Sequence, residues 1–326
     1  MIGSPAKIWV VVHFAALPRF AYSCIHDVFG VYFSAVRLLT PQKVRFLAKL
    51  KHFLSFIKIE HTFFSLPLIY GGVFLAAKEA PEPLLLLLVL TAAVGARTAA
   101  LALNRIIDRE IDRRNPRTAE RELASGKMTL RDGLLILFAG TGIYLLSAAM
   151  ISPFCLQLSP IPLAIFTAYP YMKRFTPLAH FGVGLGLSMA PLGGWFAVQQ
   201  SFDNILPAML LTVFTFLWVS GFDIIYSTLD ELFDRQESLF SFSSRYGKVT
   251  ALRISGMLHV AAFAVLVVLF ATYVRALGSF LFLLASGYLL YLEHKRSSDV
   301  ELAFFKINAV VGFAVLGMVI SWVYFG

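Results

Sequence analysis

Asn104, Asp108 and Asp112 lie in the stretch NRIIDREID, and Asp223, Asp230 and Asp234 lie in DIIYSTLDELFD, each closing a long apolar run. A carboxylate near a bilayer core costs at least about 2.5–3.5 kcal/mol, so residues that carry this cost generally mark a site or a pathway. Side chains four apart on a helix share a face. The spacing therefore predicts one acidic stripe from Asn104, Asp108 and Asp112, and a second from Asp223, Asp230 and Asp234. Two facing stripes of oxygen donors suit a hard divalent cation, Mg²⁺ foremost.

Crowded carboxylates repel and raise one another's pKa, and a divalent cation relieves that repulsion. Bound Mg²⁺ keeps positions for water and for phosphate oxygens. The neighbouring cations suit the same partner: Arg117 and Arg121 in RNPRTAERELASG, and Lys173 and Arg174 in YPYMKRFTP. A diphosphate held this way leaves readily, because the charge that grows as its C–O bond breaks is stabilised. In an apolar chain this points to a lipid-linked substrate. An allylic prenyl diphosphate fits, its tail among helices and its head at their mouth. Tyr226, inside the second run, is a candidate to shield an allylic cation with its ring face. Arg97 lies seven residues before Asn104 and on nearly the same face. At that depth it needs an anion, either the acidic stripe itself or the carboxylate of an aromatic acid substrate.

The elements that hold these groups follow from composition. The chain has 326 residues, 58% hydrophobic and only 14% charged, where a soluble domain is nearer a quarter charged. This predicts an integral, multi-pass membrane protein. Its net charge of +9 is spread among loops, which argues against nucleic acid. Two cysteines, Cys24 and Cys155, argue against a disulfide framework or a cysteine metal site. Apolar periodicity predicts nine spans near 62–77, 83–105, 132–150, 152–171, 178–199, 206–228, 251–274, 277–292 and 307–325. The loops after spans two, four, six and eight carry nearly all the loop Lys and Arg, whereas the others carry only Lys78 and Arg275. The positive-inside rule then puts both acidic runs on the cytoplasmic face, here of a bacterial inner membrane. Residues 1–45 read as an N-terminal extension, either an interfacial amphipathic helix or an over-extended start, and 46–326 as the membrane domain. The glycines of GVGLGLSMAPLGG, residues 182–194, predict close helix packing rather than a phosphate loop.

From about Lys58 onward the chain resembles the UbiA superfamily of intramembrane prenyltransferases. The resemblance rests on NxxxDxxxD (Asn104, Asp108, Asp112), DxxYxxxDxxxD (Asp223, Tyr226, Asp230, Asp234), RTAERELASG (117–126) and YPYMKR (169–174), in that family's order. It implies an all-α bundle of about nine transmembrane helices around a central cavity that opens sideways. A cytoplasmic cap would come from the loops after helices two and six. It further implies that Asn104, Asp108, Asp112, Asp230 and Asp234 serve Mg²⁺, and that Arg117, Arg121 and Lys173 hold the diphosphate. Arg97 would bind the acceptor's carboxylate, and Asp108, Asp223 and Tyr226 would be catalytic. The implied reaction is alkylation of an aromatic ring by a polyprenyl diphosphate, with 4-hydroxybenzoate as acceptor in ubiquinone synthesis, or 1,4-dihydroxy-6-naphthoate in menaquinone synthesis. Both acids carry a carboxylate, so Arg97 does not separate them. The implied partners are the polyprenyl diphosphate, the aromatic carboxylic acid and membrane lipid, with no nucleic acid and no protein partner identified. Two departures stand out: Glu122 occupies a position that is often proline in relatives, and Gln236-Glu237-Ser238 replaces a common Lys-x-Gly, which removes one basic phosphate ligand. A cation-coupled transporter is the rival of another class. Both stripes lie toward one face beside Arg and Lys rather than mid-membrane, which disfavours it.

Overall fold

A chain segment without water can satisfy its backbone as a helix, and the long apolar runs here do so. The computed structural model describes residues 55–56, 62–297, 299 and 306–326, so the expected extension over 1–45 lies outside the described residues. Thirteen helices follow in order, with no strand among the described residues. They are α1 (Thr62–Ala77), α2 (Pro83–Ile107), α3 (Arg109–Arg114), α4 (Leu130–Ile151), α5 (Pro153–Leu158), α6 (Pro160–Met172), α7 (Ala179–Gln199), α8 (Leu206–Ser227), α9 (Glu231–Gln236), α10 (Phe242–Tyr246), α11 (Lys248–Thr272), α12 (Leu277–Lys295) and α13 (Asn308–Phe325).

Seven of these, α2, α4, α7, α8, α11, α12 and α13, are long and apolar enough to cross a membrane. The expected first span is the shorter α1, of 16 residues. The expected fourth span is broken into α5 and α6. Pro153 and Pro160 each open a new helix, where their missing N–H costs nothing. Ser152 caps the first of them by accepting the Cys155 N–H at 3.1 Å.

Helices in lipid associate by close packing rather than by expelling water. The α1–α7 contact shows this on both sides. A Cβ on Gly72 would lie 2.0 Å from the Pro191 carbonyl oxygen, and one on Gly194 would lie 2.0 Å from that of Ile69. The glycine run over 182–194 therefore packs helices, as its sequence context predicts. α2 packs along α4, and α8 lies between α7 and α11. The main core is formed by Trp195, Leu211, Phe214, Trp218, Leu266 and Met318. A buried polar chain ties α8, α13 and α12 together: Trp218 Nε1–H donates to Asn308 Oδ1 at 2.8 Å, and Asn308 Nδ2 donates to Glu293 Oε1 at 2.9 Å.

Both acidic runs fall at helix joints. Asp108 (φ −94°, ψ 5°) separates α2 from α3. The i to i−4 ladder continues across it, with Asp108 N–H to Asn104 O at 2.9 Å and Asp112 N–H to Asp108 O at 2.8 Å. The first stripe therefore survives the joint. The second does not remain one stripe, because α8 stops at Ser227 and α9 starts only after Asp230.

Candidate active site

Asp108 is 1% exposed and sits at the centre of the first cluster. Its Oδ2 accepts from Lys173 Nζ at 2.6 Å and from Asn104 Nδ2 at 3.2 Å. Its Oδ1 is buried and accepts no hydrogen bond among the described residues, with Arg174 Nη2 at 3.4 Å. Burial pushes the Asp108 carboxyl above the usual range, and Lys173 pulls it partly back. One turn on, both oxygens of Asp112 accept from Arg121 Nη1 at 2.9 Å. Lys173 follows the last residue of α6, so the helix end delivers its amine to the joint between α2 and α3.

The second cluster meets the first through residues just past Asp112. Asp230 Oδ1 accepts from Asn115 Nδ2 and from Arg117 Nε, both at 2.9 Å, and Arg117 Nη2 pairs with the other oxygen. Arg117 Nη1 donates to the Tyr226 hydroxyl at 2.6 Å, and the guanidinium lies 4.9 Å from that ring's centroid. Arg114 Nε pairs with Glu237 Oε2 at 2.8 Å alongside. Burial works to raise the Asp230 carboxyl, but the Arg117 and Asn115 contacts outweigh it and hold the group below its ordinary range. Asp234 goes the other way. Burial, with the Asp230 charge adding to it, pushes it up to about 6 despite a hydrogen bond from Ser241.

Asp223 parts company with both. It lies one turn before the end of α8, its Oδ2 is 2.6 Å from His180 Nδ1, and it lines a cavity among the helices. That cavity has a volume of about 660 Å³ and an apolar wall from α1, α2 and α4 to α8, including Ile69, Val89, Leu101, Phe166 and Leu187. Arg97 and Tyr169 join Asp223 among its few polar members. Arg97 Nε is buried with no hydrogen-bond partner among the described residues. Of the two anions expected for it, the acidic stripe makes no ion pair with it among those residues. Tyr169, on the cavity wall, lies in electrostatic reach of Arg97, Asp223 and Asp108. Tyr226 stands in that head and is not part of the cavity wall.

The oxygen-rich set Asn104, Asp108, Asp112, Asp230 and Asp234 contains no soft ligand, and Asp108 Oδ1 is a buried oxygen without a hydrogen-bond donor among the described residues. Among the described residues no three acidic, histidine or cysteine side chains form a closed metal cage. Mg²⁺ does not need one, since it is ordinarily held by one or two carboxylates together with water and phosphate oxygens. The donor set fits that mode of binding. Asn115, Tyr169 and His180 were given no role on sequence grounds. Asn115 follows Asp112 by three residues, and Tyr169 precedes Lys173 by four, so local spacing could have found them. His180 is 43 residues from Asp223 and leaves no trace in any local pattern.

A model of the UbiA prenyltransferase family matches residues 65–310. The 4-hydroxybenzoate octaprenyltransferase of Vibrio vulnificus (strain CMCP6) is 30% identical over 259 residues, covering 77% of this chain and 89% of that protein. The one of Vibrio atlanticus (strain LGP32) is 29% identical over 258 residues, with the same 77% and 89% coverage. Among solved structures, the apo form of a UbiA homolog from Aeropyrum pernix K1 is 34% identical with a TM-score of 0.75, covering 80% of this chain and 98% of that one. A UbiA homolog from Archaeoglobus fulgidus, bound to GPP and Mg²⁺, shares the fold at 15% identity, with a TM-score of 0.64 and coverage of 84% and 99%.

Proposed function

The chain belongs to the UbiA prenyltransferase family and is an integral, multi-pass membrane protein, and from that premise we propose that it moves a polyprenyl group from an allylic diphosphate to the ring of 4-hydroxybenzoate in respiratory quinone synthesis. The observation that carries the acceptor class is Arg97. A guanidinium whose Nε has no partner among the described residues, on the wall of an apolar cavity, is suited to receive one carboxylate. The names of the Vibrio relatives support the benzoate in particular.

The prenyl tail lies in the cavity, and the diphosphate lies at the head of the site, within reach of Arg117, Arg121 and Lys173. Asn104, Asp108, Asp112, Asp230 and Asp234 would hold Mg²⁺, which when bound withdraws charge from the diphosphate and makes it a better leaving group. Tyr226 steadies Arg117 through its hydroxyl and ring face. Arg97 fixes the acid so that a ring carbon ortho to the phenol oxygen meets the prenyl C1 as its C–O bond to diphosphate breaks. The new C–C bond leaves one surplus ring proton, and Asp223 is the carboxylate on the cavity wall available to take it. Residues 46–326 make up this membrane domain, 1–45 are an extension, and the loop charge bias puts the head of the site on the cytoplasmic side of a bacterial inner membrane.

The test is an assay of detergent-purified protein with Mg²⁺ and farnesyl diphosphate, offering 4-hydroxybenzoate and 1,4-dihydroxy-6-naphthoate separately and detecting product by mass. Mg²⁺-dependent prenylation of the benzoate, abolished by Asp108→Ala, supports the proposal. Product from the naphthoate alone moves the enzyme to menaquinone synthesis. Product from neither, with longer donors also tried, overturns the acceptor class.

A further inference from the structure

We propose that His180 is a positioning residue that holds Asp223 as a proton acceptor facing the cavity, acting as a neutral imidazole protonated at Nδ1. The inference rests on the aromatic alkylation proposed above and assigns a role to a residue outside the acidic runs.

The tautomer follows from what each ring nitrogen meets. His180 is 7% exposed, near the start of α7. Its Nε2 faces the backbone N–H of Phe242 at 3.4 Å. A peptide N–H can only donate, so Nε2 is the acceptor and carries no proton. Phe242 is the first residue of α10, where an N–H has no acceptor inside its own helix. The proton of the neutral ring is therefore on Nδ1, which donates to Asp223 Oδ2 at 2.6 Å. The ring itself is packed against Phe242, with centroids 5.8 Å apart.

Two consequences follow for Asp223. Its carboxylate plane is set by a donor on a rigid, buried ring. Its other oxygen, Oδ1, accepts no hydrogen bond among the described residues and belongs to a side chain on the cavity wall. After the C–C bond forms, the ring C–H bond breaks with its electron pair returning to the ring, and the proton passes to Asp223. His180 does not relay that proton onward, because its far nitrogen is occupied by the Phe242 N–H. A hydrogen-bond partner that orients a reacting group is commonly worth about 10- to 100-fold.

The two amide side chains separate the two bonds. His180→Asn presents an N–H where Nδ1 was and loses the reach to Phe242. His180→Gln reaches toward Phe242 and loses the donor to Asp223. With farnesyl diphosphate and 4-hydroxybenzoate, His180→Asn is expected to keep kcat within about fivefold, and His180→Gln to lose about 10- to 100-fold in kcat with both KM values little changed. With 4-hydroxybenzoate deuterated at both positions ortho to the phenol oxygen, His180→Gln should show a primary isotope effect on kcat larger than that of the wild type, because proton loss has become slower. In an Asp223→Asn background the His180→Gln change should add nothing. Equal rates for the two amide variants, or an unchanged isotope effect, overturn the inference. If the wild type prenylates neither aromatic acid, the functional reading fails and the inference with it. An active wild type with an indifferent His180 removes the inference alone.

Discussion

Replacing Arg97 with methionine removes the guanidinium and keeps most of the side chain's length. Its Nε has no hydrogen-bond partner among the described residues, so the change strands no acceptor. What it removes is a pair of charge-assisted hydrogen bonds to the acceptor's carboxylate, made inside an apolar cavity of about 660 Å³. Such bonds contribute about 1.5–3 kcal/mol each, so the pair is worth about 3–6 kcal/mol. At about 1.4 kcal/mol per decade, that is roughly 150- to 20,000-fold in kcat/KM for 4-hydroxybenzoate. Nearly all of it should appear in KM, because the carboxylate is remote from the reacting carbon and is held alike before and during the reaction. The KM for farnesyl diphosphate should stay within about twofold, since its ligands lie in the charged head of the site. Arg97→Lys keeps the charge without the planar fork and should fall in between, about tenfold down. A carboxylate-free acceptor such as 4-methylphenol should be a poor substrate for the wild type and no worse for Arg97→Met. Initial rates with mass detection measure all of this, and a thermal melt in detergent checks folding. Arg97→Met within threefold of wild type on the benzoate, or equal losses for benzoate and diphosphate, would refute the reasoning.

Three further outcomes are expected. Glu122→Gln strands the buried Arg105, which pairs with Glu122 and lies 4.7 Å over the Phe56 ring; it should cost about 3–5 kcal/mol and lower the melting temperature by several degrees, with Arg105→Met/Glu122→Met recovering most of the loss. Asp234, pushed up to about 6, must lose its proton to bind a cation. The Mg²⁺ concentration for half-maximal activity should therefore rise about fourfold from pH 7.5 to 5.5 through this group alone. The stability of the ion-free protein has the opposite sign. A carboxyl raised from 3.8 to about 6 favours the folded state below pH 4, and that contribution is lost as pH rises through 6. Gly194→Val forces a Cβ into the Ile69 carbonyl and should destabilise the α1–α7 contact by more than 1–3 kcal/mol, whereas Gly142→Ala, with nothing within 4 Å, should melt like wild type.

Most helix positions were legible because an apolar run in lipid has one way to satisfy its backbone. α2 was expected over 83–105 and spans Pro83–Ile107, and α7 was expected over 178–199 and spans Ala179–Gln199. The fourth span was misread as continuous because hydropathy is blind to where prolines end one ladder and begin another. The first acidic run was legible because four-residue spacing survives the joint at Asp108. The second was not, because a periodicity argument assumes an unbroken helix, and α8 ends between Asp223 and Asp230. Asp223 could be named from sequence, but its partner could not. The contact with His180 is made by packing α7 against α8, and one chain's residue spacing holds no record of it. The pairing of Arg117 with Asp230 was hidden for the same reason.

The ties across the head of the site also impose an order of events during synthesis. Asp108 waits 65 residues for Lys173, while Arg117 and Asn115 wait 113 and 115 residues for Asp230. At about 5–20 residues per second, the second interval is roughly 6–23 s. Over that time Arg117 and Asn115 lack the Asp230 carboxylate that the finished fold gives them. Asp230 follows the end of α8, so the head of the site cannot assemble until that helix has been made.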